Sequence, residues 1–109
     1  MTEIQLAGNE RAAIEKLQMA LSYCVEASAA GFYKSTIEAT RHAVEAATEV
    51  GTFRSDGRWA LLAAHMDKAR VALASMTSAM FGLQSLAISN QFSNIREKVQ
   101  GMTHAKIIH

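Results

Sequence analysis

A histidine with three glutamates at helical spacing is the part of this sequence with the clearest potential for chemistry. His42 lies four residues after Glu38, three before Glu45 and seven before Glu49, so a helix would place all four side chains on one face. Such a face could bind a metal ion or transfer protons. Di-metal helical bundles, however, use a glutamate three residues before a histidine on two helices. Here the residue three after Glu38 is Arg41 instead of histidine, and the chain has no second such motif. We therefore interpret the cluster as a solvated acidic face and predict no metal ion.

A second use of a lone histidine in a helical bundle is phosphoryl transfer. Domains of that class usually have leucine, lysine and glycine after the histidine, whereas His42 is followed by Ala-Val-Glu. Glu45 would repel the phosphoryl group. His65 is followed by Met-Asp-Lys and fits no better. The local sequences therefore disfavour a phosphotransfer site.

No other residue pattern indicates catalysis. Cys24 has no neighbouring base or electropositive sequence that would activate a thiolate, and its position in or beside an apolar stripe favours a small buried side chain. The chain has no glycine-rich phosphate loop, no Ser–His–Asp signature and no zinc-ligand spacing. We predict that the protein is not an enzyme, has no catalytic residues and binds no cofactor.

The composition indicates the elements that must position these side chains. The 109 residues are half apolar and include no proline, and the good helix formers dominate. We predict one all-α domain over residues 1–109, a bundle of three to four helices with one long helix. The net charge of +1 argues against direct nucleic-acid binding. A single cysteine and the absence of a signal-peptide pattern favour a cytoplasmic location.

Capping residues and glycines predict the first two helices. We expect a flexible leader over 1–8, a first helix capped by Asn9, and its end at Gly31. Ser35 and Glu38 have the spacing of a capping box that would start a second helix, which would end near Gly51. The first helix has small residues at seven-residue intervals that would let another helix approach closely: Ala13, Ala20 and Ala27. The second has a thin apolar face: Ile37, Thr40, Val44 and Ala47.

A regular apolar seam predicts a long third helix. It would begin after a cap at Asp56 and run from Gly57 to Phe81 if unbroken, and its period is that of a coiled coil. Its seam residues are Trp59, Leu62, Met66, Ala69, Leu73, Met76, Met80 and Leu83. Near Gly82 the pattern changes phase, so we expect a bend, a turn or a new helix between 82 and 90, and a frayed tail over 103–109. The later apolar positions are Ile88, Phe92, Ile95, Val99 and Met102.

The most unusual feature is a gap in the charges. The 25 residues between Arg70 and Arg96 include no acidic or basic side chain. Polar residues are spread through the gap and no dense basic cluster flanks it, which argues against a membrane span. The gap remains compatible with a central bundle helix, but charge depletion with methionine and aromatic enrichment is also typical of interface cores. We predict a homodimer through 71–95, binding of a protein partner, or both. The predicted contact residues are Met76, Met80, Phe81, Leu83, Leu86, Ile88 and Phe92.

The segment 57–69, GRWALLAAHMDKA, resembles small helical proteins of pseudomonads that pair an alanine-rich first helix with a later Met-acid-Lys-Ala step. In size, helical makeup and lack of a catalytic motif, the whole chain resembles the QslA-type quorum-sensing anti-activators. The resemblance implies a non-enzymatic regulator that binds a LuxR-type transcription factor and blocks its dimerisation and DNA binding. The alternatives are a phasin-like protein on a hydrophobic surface and a chaperone-like protein that holds an exported subunit.

Overall fold

Four α-helices make up most of the part of the chain that the computed structural model describes. It describes the backbone of residues 2–54 and 57–108, and the side chains of 9–54 and 57–103, and within these ranges there is no β-strand. The helices are α1 (Thr2–Ala29), α2 (Tyr33–Thr52), α3 (Arg58–Ala74) and α4 (Ser78–Ile108). The prediction of an all-α bundle with three to four helices is confirmed. The molecule measures 51 × 22 × 19 Å.

The outer ends of the first and last helices lie farther out than predicted. α1 begins at Thr2 instead of Asn9, and α4 continues to Ile108 instead of ending near 103. Asn9 lies inside α1 and therefore does not cap it. One asparagine or glycine inside a helix costs only about 1 kcal/mol or less relative to alanine, so neither Asn9 nor Gly101 is a strong enough signal to bound these helices.

The end of α1 at Gly31 is confirmed. Gly31 has φ of 79°, a left-handed conformation that suits glycine because it has no Cβ. The backbone N–H of Phe32 donates to the Ala27 carbonyl, and the N–H of Gly31 donates to the Ser28 carbonyl. These two bonds form the Schellman motif, which satisfies the last carbonyls of the helix.

The start of α2 corrects the predicted capping box. α2 begins at Tyr33, its N-cap is Phe32, and no side chain caps it. Ser35 therefore lies inside the first turn, and Glu38 binds Arg41 instead of a backbone amide. The reason is the turn at Gly31, which redirects the chain so sharply that α2 starts at once. The predicted end near Gly51 is confirmed, because α2 ends at Thr52, and the predicted cap at Asp56 lies outside the described residues.

The long third helix is interrupted earlier than predicted. α3 ends at Ala74 and α4 begins at Ser78, and α4 is continuous through 82–90, so the break expected there is wrong. Thr77 starts the new helix because its hydroxyl accepts the backbone N–H of Met80 at 3.1 Å, as an N-cap does. The Tyr33 hydroxyl lies 2.5 Å from the Leu73 carbonyl and 2.6 Å from the Met76 carbonyl. The single hydroxyl hydrogen of Tyr33, a side chain of α2, is thus shared between two carbonyls at the break.

Two helix pairs pack in different ways. α1 packs against α2 and α4, and α2 packs against α3, but among the described residues the backbones of α3 and α4 do not approach closely along their length. The buried face of α2 consists mostly of small residues: Thr36, Ala39, Thr40, Ala43, Ala46, Ala47 and Val50. α3 and α4 bury larger side chains: Trp59, Leu62, Met66, Leu73, Phe81, Ile88, Phe92 and Val99. The small residues of α2 let its neighbours α1 and α3 approach closely.

Candidate protein-binding surface

The seven predicted contact residues divide into two groups. Phe81, Ile88 and Phe92 are buried in the core of the chain itself, and Met76 is partly buried against that core. Burial within one molecule therefore accounts for these four. The other three are exposed large apolar side chains: Met80 at 49%, Leu83 at 90% and Leu86 at 70%.

The phase of α4 explains the division. The break at 75–77 starts a new apolar stripe, in which Phe81, Ile88 and Phe92 face the bundle together with Val99. On a helix of 3.6 residues per turn, Leu83 then falls on the side away from the core. The seam that the sequence predicted through Met80 and Leu83 therefore does not continue as a buried stripe beyond the break.

We call the exposed group Met80, Leu83 and Leu86 the α4 patch. The patch lies on a part of α4 that has no charged side chain before Arg96. Its exposed neighbours are small or uncharged: Ala79, Gly82, Gln84, Ala87 and Asn90. An exposed helix face normally carries charges, so this surface has the composition of an interface core rather than of a solvated face.

A glycine beside the patch has no role in the packing of the chain. Gly82 is exposed within α4, and a methyl group added to its Cα would meet no neighbouring atom within 4 Å. Glycine in a helix interior is less favourable than alanine by about 0.8–1.0 kcal/mol. The backbone next to Leu83 is thus open to close approach from outside.

The other end of α4 is held against α1. The Ser89 hydroxyl donates to the Val25 carbonyl at 3.0 Å, and the stripe that includes Phe92 and Val99 is buried. At the start of α4, the rings of Tyr33 and Phe81 contact each other with centroids 5.0 Å apart. These contacts fix the rotation of α4 and therefore the direction in which the patch faces.

The His42 cluster is solvent-exposed, as its interpretation as an acidic face requires. His42 Nε2 lies 3.7 Å from Glu38 Oε1, and Nδ1 lies 3.9 Å from Glu45 Oε2. Arg41 forms ion pairs with both glutamates, and its guanidinium lowers the pKa of the Glu38 carboxyl. Within the described residues, no three histidine, cysteine, aspartate or glutamate side chains are grouped as metal ligands.

Cys24 is buried, which confirms its assignment as a small core residue. Its Sγ lies 3.7 Å from Thr40 Oγ1, between α1 and α2. Burial raises the pKa of the thiol to about 11, so the thiol is protonated at neutral pH. A protonated, enclosed thiol is a poor nucleophile.

Sequence reasoning missed several exposed apolar side chains because they lie outside the regular stripes. Leu61 and Val71 are exposed on α3, and Met19 and Tyr23 are exposed on α1. The only sequence signal for them is their position between the apolar stripes. In the part of the chain that the structure describes, no helix is long and apolar enough to cross a membrane.

Comparison with known proteins identifies no relative of this chain. No known protein family matches the chain, and no curated protein or solved structure is significantly similar to it. Arguments about function therefore rest on the surface of the molecule.

Proposed function

We propose that this chain is a non-enzymatic regulator that binds a LuxR-type quorum-sensing transcription factor and blocks its dimerisation and DNA binding. The observation that supports the proposal best is the α4 patch, where Met80, Leu83 and Leu86 are exposed on a helix segment without charges. The patch would cover the apolar surface through which the factor dimerises. The proposed location is the cytoplasm, where the factor would bind DNA.

The energetics of such a contact are favourable. Full burial of one leucine or methionine side chain contributes about 1.5–3 kcal/mol, and a few anchors supply most of the affinity of an interface. Methionine adapts its shape easily, which suits Met80 to a surface that another protein uses for its own dimer. A factor that must hold two DNA half-sites as a dimer loses affinity for DNA when one protomer is sequestered.

The same patch would join two copies of this chain in the absence of the target. A symmetric dimer places the same residues on both sides of the interface. Because residues 71–95 have no charge, two copies of this surface meet without like-charge repulsion. The homodimer and the complex with the factor would then compete for the α4 patch.

The test uses the full chain, a purified LuxR-type factor and the operator DNA of that factor. We expect the wild type to release the factor from DNA in a band-shift assay and to form a complex in size exclusion with light scattering. Leu83→Asp and Met80→Asp should each weaken this complex and self-association by at least about 2 kcal/mol, as loss of a hot spot does.

A matched control separates the patch from a general surface effect. Val71→Asp also replaces an exposed apolar residue, at 52% exposure on α3, and should leave DNA release unchanged. Circular dichroism would show whether each variant is folded. If folded Leu83→Asp releases DNA as well as the wild type, the α4 patch is not the contact. If the wild-type protein leaves the factor bound to DNA but coats hydrophobic particles, the result favours the phasin-like alternative.

A further inference from the structure

A long groove separates α3 from α4. Its two adjoining parts have volumes of ≈ 530 and ≈ 580 Å³, and His65, Asn94 and Ile95 line both. α3 packs against α2 and α4 packs against α1, and in the described part of the chain α3 and α4 leave this space between them.

The floor of the groove is apolar. Leu62 and Phe92 are buried at its base, and Ile95 is partly buried. Leu61 stands at its edge with 73% of its surface exposed. An apolar floor with an exposed leucine is the kind of surface that binds the apolar face of an amphipathic helix.

The rim of the groove is basic. His65 and Lys68 line it from α3, and Lys98 lines it from α4. Among the described residues that line these two parts, none is acidic. The nearest acid on α3, Asp67, is bound by Arg70 at 2.9 Å. The rim therefore attracts negative charge.

We propose that the α3–α4 groove binds an amphipathic helix with acidic flanks, supplied by a protein partner. The charge complementarity of the rim selects acidic residues beside the apolar face of that helix. α3 has 17 residues and is about 25 Å long at 1.5 Å per residue, so the groove accommodates nearly five turns of helix. This site is separate from the α4 patch and goes beyond the regulator function proposed above.

A second copy of this chain does not fit the groove as well. A symmetric dimer through the groove would bring the same basic residues, Lys68 and Lys98, of both copies together. The acidic face of α2 around Glu45 is no better occupant, because within the described residues α2 exposes no large apolar side chain for the floor. A symmetric second copy and the α2 face are therefore disfavoured, and we assign the groove to an acidic helix of a protein partner.

The test is fluorescence anisotropy with the full chain and labelled synthetic peptides. The probe is an amphipathic helix of about 17 residues, the length of α3 at 1.5 Å rise per residue, with leucines on one face and glutamates on its flanks. A matched peptide has lysines in place of the glutamates. We expect the glutamate peptide to bind roughly tenfold more tightly, a difference of about 1.4 kcal/mol, and added salt should reduce this difference.

Charge reversal in the protein makes the test specific. Lys68→Glu combined with Lys98→Glu should reverse the preference, so that the lysine peptide binds more tightly. Leu61→Gln should weaken both peptides, whereas Val71→Gln, on another side of α3, should weaken neither. Leu83→Asp should also have no effect, which distinguishes this groove from the α4 patch.

Several outcomes would overturn the proposal. Equal binding of the two peptides, or an unchanged preference in the folded double variant, would remove the role of the basic rim. If an acidic peptide whose leucines are scrambled, so that they no longer lie on one helical face, binds as tightly as the glutamate peptide, the apolar floor has no role. Tighter binding of duplex DNA or of anionic vesicles than of the glutamate peptide would make the groove a polyanion site instead.

Discussion

α1 and α2 pack against each other along their length, whereas the backbones of α3 and α4 do not approach closely in the described part of the chain. The buried face of α2 consists mostly of small residues, and the hydroxyl groups of Thr36 and Thr40 donate to backbone carbonyls four residues earlier. The buried residues of α3 and α4 are larger and include Trp59, Met66 and Phe92. The cavity between α1 and α2 has a volume of ≈ 360 Å³, and the two parts of the groove between α3 and α4 have volumes of ≈ 530 and ≈ 580 Å³. The comparison teaches that the side of the bundle where two helices do not pack directly offers the larger space for a partner.

The largest expected effect on stability comes from truncating a buried aromatic side chain of α4. Phe81 is fully buried, whereas Leu83, two residues later, is 90% exposed. Phe81→Ala should lower the free energy of unfolding by about 3–5 kcal/mol, because it creates a cavity. Leu83→Ala should change it by less than about 0.5 kcal/mol, as is usual at the surface. Urea unfolding of both variants measures the contrast, and similar losses would mean that Leu83 is covered.

Replacing an alanine by leucine should destabilise the fold on α2 but leave its stability nearly unchanged in the α3–α4 groove. Ala43 is fully buried on α2, so Ala43→Leu should destabilise the fold by about 1–3 kcal/mol through overpacking. Ala72 lines the α3–α4 groove and is exposed, so Ala72→Leu should leave thermal stability nearly unchanged. Equal destabilisation by the two changes would show that the two contacts are equally close.

The contribution of Cys24 to the free energy of unfolding depends on pH and therefore tests whether its thiol is enclosed between α1 and α2. Burial raises the pKa of its thiol from the ordinary value of 9.0 to about 11. The folded state therefore binds the proton more tightly, so this contribution to stability is complete below pH 9 and is lost as the pH rises through about 11. The loss should reach at most about 2–3 kcal/mol at 1.36 kcal/mol per pKa unit.

The control for this experiment is the same titration on Cys24→Ala. We expect its unfolding free energy to fall less steeply than that of the wild type between pH 9 and 11, as measured by urea unfolding at each pH. Parallel curves for the two proteins would mean that the thiol is not enclosed between α1 and α2.

The smallest expected effect is a gain in stability beside the α4 patch. Gly82→Ala meets no steric obstacle and should stabilise the monomer by about 0.5–1 kcal/mol through helix propensity. If a partner backbone approaches Gly82, the same change should weaken association even as it raises the melting temperature. Light scattering and thermal unfolding separate the two effects, and a variant that gains in both would show that no backbone approaches there.

Two predicted features came from local signals and are confirmed. Gly31 ends α1 because it adopts a left-handed conformation with φ of 79°. The second apolar stripe, which includes Phe92 and Val99, is buried as its spacing predicts. Both features depend on neighbours within a few turns, which is the range over which helix periodicity and capping act.

The break at 75–77 could not be located from periodicity. The apolar spacing continues through Leu73 and Met76 to Met80, and no glycine or proline interrupts it. The break is stabilised by Thr77, a capping signal that the regular seam concealed, and by the hydroxyl of Tyr33, which is about forty residues away in sequence. A misplaced break changes which face of α4 is buried, so four of the seven predicted contact residues lie in or against the core.

The sequence by itself determined that this protein is a helical bundle, because its composition and apolar periodicity favour helices at nearly every position. It also determined that one stretch lacks charge, since Arg70 and Arg96 bound a gap of 25 residues. Only the tertiary structure decided which side chains of that stretch remain exposed and where the groove lies. Those outcomes depend on how α4 rotates against α1 and on which helix α3 and α4 each pack against, and both are set by contacts between residues distant in the chain.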